Sequence, residues 1–192
     1  VAEVFAILSG LIVLIGAPPY LFDILKGKTK PERATWFIWS VQGCIAFGSQ
    51  AVLGAHWSLW FVGLNAAGNL AVWLLSLKYG VGGWKRIDIA ALIIAAVGLL
   101  LSLVTRNALL ALWGVVIADF AGVIPTLQKT YHHPESETTI TWFALGTSSL
   151  LAVGSVGTFK FSLLLYPIYF TFSNYVVLVA QALGKRAQPH KA

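Results

Sequence analysis

No charged side chain occurs between Ile89 and Val104, and this run constrains the chain more than any other feature. A hydrocarbon core of roughly 30 Å takes about 20 residues of helix, so the run is nearly long enough to cross one. It lacks the apolar/polar alternation of outer-membrane strands and is therefore helical. Six other apolar stretches, divided by charges, prolines and glycines, share its character. The seven together are expected at about 3–25, 34–54, 57–78, 88–105, 107–128, 138–158 and 161–183. Thr105-Arg106-Asn107 is the narrowest break between two of them. Charged residues make up 10% of the chain, against about a quarter in soluble domains, which leaves no room for a separate soluble catalytic or nucleic-acid-binding domain. Cys44 is the single cysteine, and there is neither a CxxC nor an HExxH pattern, so no disulfide, metal or other cofactor is expected.

The net charge of +6 acts through its distribution. Connections after odd-numbered helices hold Lys26, Lys28, Lys30, Arg33, Lys78, Lys85, Arg86, Lys129, Lys185, Arg186 and Lys191, which is 11 of the 13 basic residues; Arg106 and Lys160 lie on the other side. The positive-inside rule then puts the C-terminus in the cytoplasm and the N-terminus outside, in a plasma or inner membrane. The first apolar stretch carries Glu3 and no basic residue before it, so it reads as a membrane helix and not as a cleaved signal. The basic residues set topology and are not a nucleic-acid footprint.

An internal repeat organises the chain. Pro19-Tyr20-Leu21, Pro31-Glu32 and Thr35-Trp36-Phe37 are echoed by Pro125-Thr126-Leu127, Pro134-Glu135 and Thr141-Trp142-Phe143, with offsets of 106 from Pro19 to Pro125 and from Trp36 to Trp142. Asn69 and Asn174 are 105 apart. The repeated unit spans three helices and leaves helix four as a linker. Three is odd, so the extra helix restores a common direction and makes the repeats parallel. The expected fold is all-α and integral to the membrane, with two three-helix bundles at 1–79 and 107–184, linker helix four at 80–106 and a cytoplasmic tail at 185–192.

The pattern Gly16-Ala17-Pro18-Pro19-Tyr20, followed by Lys26-Gly27-Lys28-Thr29-Lys30 and an aromatic-rich second helix, resembles the SWEET and PQ-loop transporter superfamily. So do the 3+1+3 helix count and the outside N-terminus. Tyr20 and Thr126 stand where that superfamily has the glutamine of its PQ loop. The resemblance implies a proline hinge near the cytoplasmic end of the first helix of each bundle, and a third-helix Asn lining a substrate site beside aromatic residues.

The residues carry the same themes. Asp119 lies about twelve residues into helix five, near the bilayer midplane, where a carboxylate costs at least about 2.5–3.5 kcal/mol. It is expected to bind a cation or a solute hydroxyl, or to carry a coupling proton, or else to hold a structural hydrogen bond. Asn65, Asn69 and Trp73 follow i, i+4, i+8 spacing on helix three, as do Tyr166, Phe170 and Asn174 on helix seven. The amides read as solute ligands with the aromatic rings as a wall, or as interhelical hydrogen bonds. Pro18, Pro19 and Pro125 read as hinges. Trp36 and Trp142 read as interfacial anchors, and Gln42 and Gln50 as pathway or packing residues, Ser148 being the repeat partner of Gln42. His132-His133 has no third ligand at metal spacing. Asp23 is expected to pair with Lys26, and Asp88 to begin helix four.

These expectations favour a transporter or facilitator that moves a small polar solute (sugar, amino acid or vitamin-like) by alternating access, with the lipid bilayer as its other partner. No nucleic acid is expected, and a homo-oligomer is compatible with this reading. The alternative is a receptor of the KDEL-receptor type, which would want a basic residue inside the bundle. An enzyme would need a clustered acid, base or metal site, and the sequence offers none. Cysteine labelling near the C-terminus checks the topology: the label should react from the cytoplasmic side, and reaction only from outside would reverse the assigned orientation.

Overall fold

The computed structural model describes residues 2–52, 57–105, 108–156 and 159–188. Among these residues there are seven α-helices: α1 (Ala2–Leu25), α2 (Arg33–Val52), α3 (Trp57–Tyr79), α4 (Arg86–Val104), α5 (Ala108–His132), α6 (Thr139–Ser155) and α7 (Phe161–Ala187), with a 3₁₀ turn at Pro134–Ser136. The chain is thus all-helical, as expected. Three segments, Ala2–Leu25, Arg86–Val104 and Leu164–Ala187, are long and apolar enough to cross a membrane. Thr105 adopts an extended conformation after α4, so α4 and α5 remain separate helices; Arg106 lies outside the described residues. Four residues beyond its expected end, α5 continues through Lys129, which is buried. Lys185 and Arg186 in the last turn of α7 complement the negative end of its dipole.

Two compact units are present. The first comprises residues 1–29 and 127–192, and the second residues 30–126. α1 therefore sits with α6 and α7, while α5 as far as Thr126 sits with α2, α3 and α4. This partition cuts across the sequential division at 79 and 107 expected from the repeat. Each unit is made from two helices of one repeat and the first helix of the other.

The contacts that hold these partners repeat with the offset seen in sequence. In the first unit, Thr141 Oγ1 donates to the Gly16 carbonyl (2.8 Å) and Ser148 Oγ to the Ser9 carbonyl (2.9 Å). In the second, Thr35 Oγ1 donates to the Gly122 carbonyl (2.6 Å) and Gln42 Nε2 to the Val115 carbonyl (3.5 Å). Every donor and every acceptor is 106 residues from its counterpart. Gln42 and Ser148 are thus packing residues in the described structure, while the Gln50 side chain lies outside it.

Close approach of the helices explains the glycines. A methyl group at Gly16 would overlap the Ala144 side chain, and one at Gly122 would stand 3.2 Å from Ile38; Ala144 and Ile38 are again 106 apart. α4 joins the second unit by a similar device. Gly98 and Gly114 face each other's backbone, and a methyl group on Gly98 would come within 2.6 Å of the Gly114 carbonyl. Small residues allow this approach where apolar burial gives little drive in lipid.

The proline helices run unbroken, α1 through Pro18 and Pro19 and α5 through Pro125. A proline frees the carbonyl four residues before it and crowds the preceding turn. The two threonine hydroxyls land in that turn, on the carbonyls three residues before Pro19 and Pro125, next to the freed ones.

Thr35→Val and Thr141→Val remove one hydroxyl each while keeping branched side chains. Each should lower stability by about 0.6–1.7 kcal/mol for the interhelical bond, with a further loss at Thr35, whose Oγ1 also accepts from buried Thr126. Chemical unfolding of the purified variants in detergent measures this, and unchanged stability in both would remove the two contacts as a source of it.

Candidate functional site

In the second unit α3 brings two of its expected polar residues together. Asn69 Nδ2 contacts Asn65 Oδ1 at 3.3 Å and the Trp39 carbonyl at 3.4 Å. Asn65 is exposed and Asn69 half-buried. Trp73 departs from this face. Its ring packs on Phe37 with centroids 5.4 Å apart and lines an open groove between α2 and α3 with Cys44 and Leu70. Eight residues of α-helix rotate the direction by about 80°, which is enough to separate Trp73 from Asn65. Asp119 is 3% exposed. Its spacing places it on the stripe of α5 that includes Val115 and Gly122, whose carbonyls receive α2 donors.

In the first unit the expected ladder on α7 forms. Tyr166 and Phe170 stack with centroids 5.8 Å apart and planes 18° from parallel. Asn174 is 1% exposed, and its Nδ2 donates to the Phe170 carbonyl at 2.7 Å. That bond fixes the amide, leaving Oδ1 buried without a hydrogen bond. An unmet buried acceptor costs about 1–3 kcal/mol. Asn69 and Asp119 belong to the second unit and Asn174 to the first.

A buried ionic cluster in the first unit was not anticipated from sequence. Glu137 accepts from Lys129 Nζ and Tyr20 OH through Oε1, and from Trp142 Nε1 through Oε2 at 2.7 Å. The Glu137 side chain is fully buried and that of Lys129 nearly so. Around them Thr29 and Thr138 share a hydrogen bond of 2.5 Å, and Thr138 Oγ1 donates to Asp23 at 3.0 Å. Gln181 of α7 donates to the carbonyls of Pro134 and Glu137. The repeat pointed instead to Glu135 as the partner of Glu32. Glu135 is exposed and 3.6 Å from His133, because the 3₁₀ turn lengthens this connection and brings Glu137 to the start of α6.

Two other readings change. Trp36 and Trp142 are packed within their units and are not presented as interfacial anchors. Trp142 meets Tyr20 edge-on at 6.2 Å, and Trp36 meets Trp39 likewise at 5.1 Å. Asp23 accepts from Thr138 in place of the expected pairing with Lys26. Asp88 begins α4 as expected, accepting from the Gly83 and Lys85 amides at 2.7 and 2.9 Å. The described residues contain no group of His, Cys, Asp and Glu suited to a metal.

The end of α2 near this connection is organised by main-chain contacts. Glu32 Oε2 accepts from the Thr35 amide at 2.9 Å, and Thr126 Oγ1 donates to Thr35 Oγ1 at 2.8 Å. Arg33 donates to the Ser76 and Gly82 carbonyls, while its own amide and that of Val81 exchange bonds across the 31–33 and 81 segments. Gly82 supports this turn at φ +72°, a conformation that favours glycine.

No family model, no curated protein and no solved structure matches the chain.

Removing one member of the buried pair leaves the other uncompensated, at a cost of about 3–5 kcal/mol. Glu137→Gln is therefore expected to lower thermal stability strongly, and Glu137→Gln combined with Lys129→Met to recover part of the loss. Equal destabilisation by the single and double variants in detergent would remove the ion pair as the cause.

Proposed function

We propose that the chain is a membrane transporter or facilitator of a small polar solute, working by alternating access in the manner of the SWEET and PQ-loop superfamily that its sequence resembles. The observation that carries this reading is the repeated contact at the prolines. Two first-of-repeat helices, α1 and α5, each hold a proline one turn from a carbonyl that takes a threonine hydroxyl from the second helix of the other repeat. Equivalent contacts beside the two prolines support a hinge in each unit. Such a contact is worth about 0.6–1.7 kcal/mol, little enough to exchange during a thermally driven transition.

In the first unit solute binding is assigned to Asn174, with Tyr166 and Phe170 as an aromatic wall, and in the second unit to Asn69 and Asn65. The Asn174 Oδ1 atom and the Asp119 carboxylate are acceptors, which favours solutes rich in donors, such as the hydroxyls of a sugar or the ammonium of an amino acid. Asp119 couples a proton or cation. Trp73, directed to the α2/α3 groove, contributes less than its spacing suggested. The reading includes seven membrane spans, an outside N-terminus, a cytoplasmic C-terminus and a plasma or inner membrane. For a receptor of a peptide carboxylate the buried cation would be Lys129, but Glu137 already neutralises it.

A thermal-shift screen with sugars, amino acids and vitamins identifies the solute, since a ligand of the native state raises apparent stability. Uptake into proteoliposomes then tests the roles. Asn174→Ala should raise the half-saturating concentration roughly tenfold, as expected for loss of about 1–1.5 kcal/mol of hydrogen bonding. Asp119→Asn should abolish pH-driven accumulation while sparing solute exchange down its gradient. Normal transport by Asp119→Asn at every pH would remove the coupling role.

A further inference from the structure

Open grooves run along both of the repeat-related helix pairs, one between α2 and α3 and one between α6 and α7. They differ in charge. The α2/α3 groove is lined by apolar side chains with Ser40 and Cys44 and has no charged residue. The α6/α7 groove has a wall of Ile140, Phe143, Leu178 and Ala182 and ends at Thr139, Gln181 and Lys185.

At that polar end the uncharged groups are already committed. Thr139 Oγ1 donates to Gln181 Oε1 at 2.8 Å, and Gln181 Nε2 donates to two backbone carbonyls. Lys185 is exposed and has no ion-pair partner among the described residues, so its ammonium is left for a ligand. In the second unit the residue 106 positions before Thr139 is Arg33. Its guanidinium is held by the Ser76 and Gly82 carbonyls at 3.0 and 3.1 Å.

We propose that the α6/α7 groove binds one anionic phospholipid, with an acyl chain along Ile140, Phe143 and Leu178 and the phosphate at Lys185. Charge complementarity selects this occupant. Ile140 and Phe143 are more than half exposed, which suits an acyl chain, and a cation terminates the apolar wall where a headgroup would lie. Arg186 follows in the same last turn of α7, and basic pockets between membrane helices hold acidic headgroups. The inference rests on the membrane reading of the apolar helices and is independent of transport.

The full chain in detergent, titrated with phosphatidylglycerol, phosphatidylcholine or glycerol 3-phosphate, tests it. Phosphatidylglycerol should raise the melting temperature more than either of the others. Lys185→Gln should weaken phosphatidylglycerol binding about fivefold, the effect of one basic residue near an anionic headgroup. Ala182→Trp should fill the groove and remove the effect, while Cys44→Trp in the α2/α3 groove should leave it intact. A photoactivatable phosphatidylglycerol should label the segment that includes Ile140 and Phe143. Equal stabilisation by glycerol 3-phosphate, an undiminished lipid preference in Lys185→Gln, or labelling confined to the α2/α3 groove would each overturn the proposal. A chain that binds the lipid but moves no solute would separate this site from the transport reading.

Discussion

A threonine hydroxyl resting on the carbonyl one turn before a proline is the interaction on which both units depend. It joins Thr141 to Gly16 and Thr35 to Gly122. The contact requires three things of the sequence at once. The proline disturbs the backbone of its own preceding turn, the glycine removes the side chain that would keep the partner helix away, and the threonine supplies a donor. A methyl group at Gly16 would overlap Ala144, and one at Gly122 would crowd Ile38, so the glycines let the threonine helices come close. This interdependence accounts for the spacing of all three residue types being preserved across the repeat.

Beyond that shared contact the units secure their helix ends by different chemistry. The first places a carboxylate, Glu137, at the centre of Lys129, Tyr20 and Trp142, which joins α1, α5 and the start of α6. The second uses the Glu32 carboxylate on the Thr35 amide and the Arg33 guanidinium on the Ser76 carbonyl in the last turn of α3 and the Gly82 carbonyl after it. A buried pair contributes little net stability but is costly to break, so its value here lies in holding one arrangement of three helices. The second unit also buries carboxylates, Glu32 and Asp88, and holds them on main-chain amides.

These differences bear on the transport reading and on the lipid site alike. The first unit holds the end of α1 through Tyr20 and Asp23, and the segment after it through Thr29. The α2/α3 groove is lined without a charged residue, whereas the α6/α7 groove ends at Lys185. The repeat thus supplies a common frame, and the charged residues that differ between its copies give each unit its own chemistry.

The helical class, the approximate extent of all seven helices and the 106-residue repeat were legible in the sequence, because apolar runs, prolines and their spacing are local properties. The i, i+4 relations of Asn65 with Asn69 and of Phe170 with Asn174 also followed from spacing alone. Which helices pair did not: the repeat suggested sequential bundles, whereas α1 sits with α6 and α7, since a hydroxyl and a glycine far apart in sequence meet only after packing. The burial of Lys129, Glu137, Trp36 and Trp142 was hidden for the same reason, as a loop lysine and a helix-start tryptophan look alike whether solvated or enclosed. Tertiary structure decided these points because burial and hydrogen-bond partnership depend on what a distant helix brings alongside.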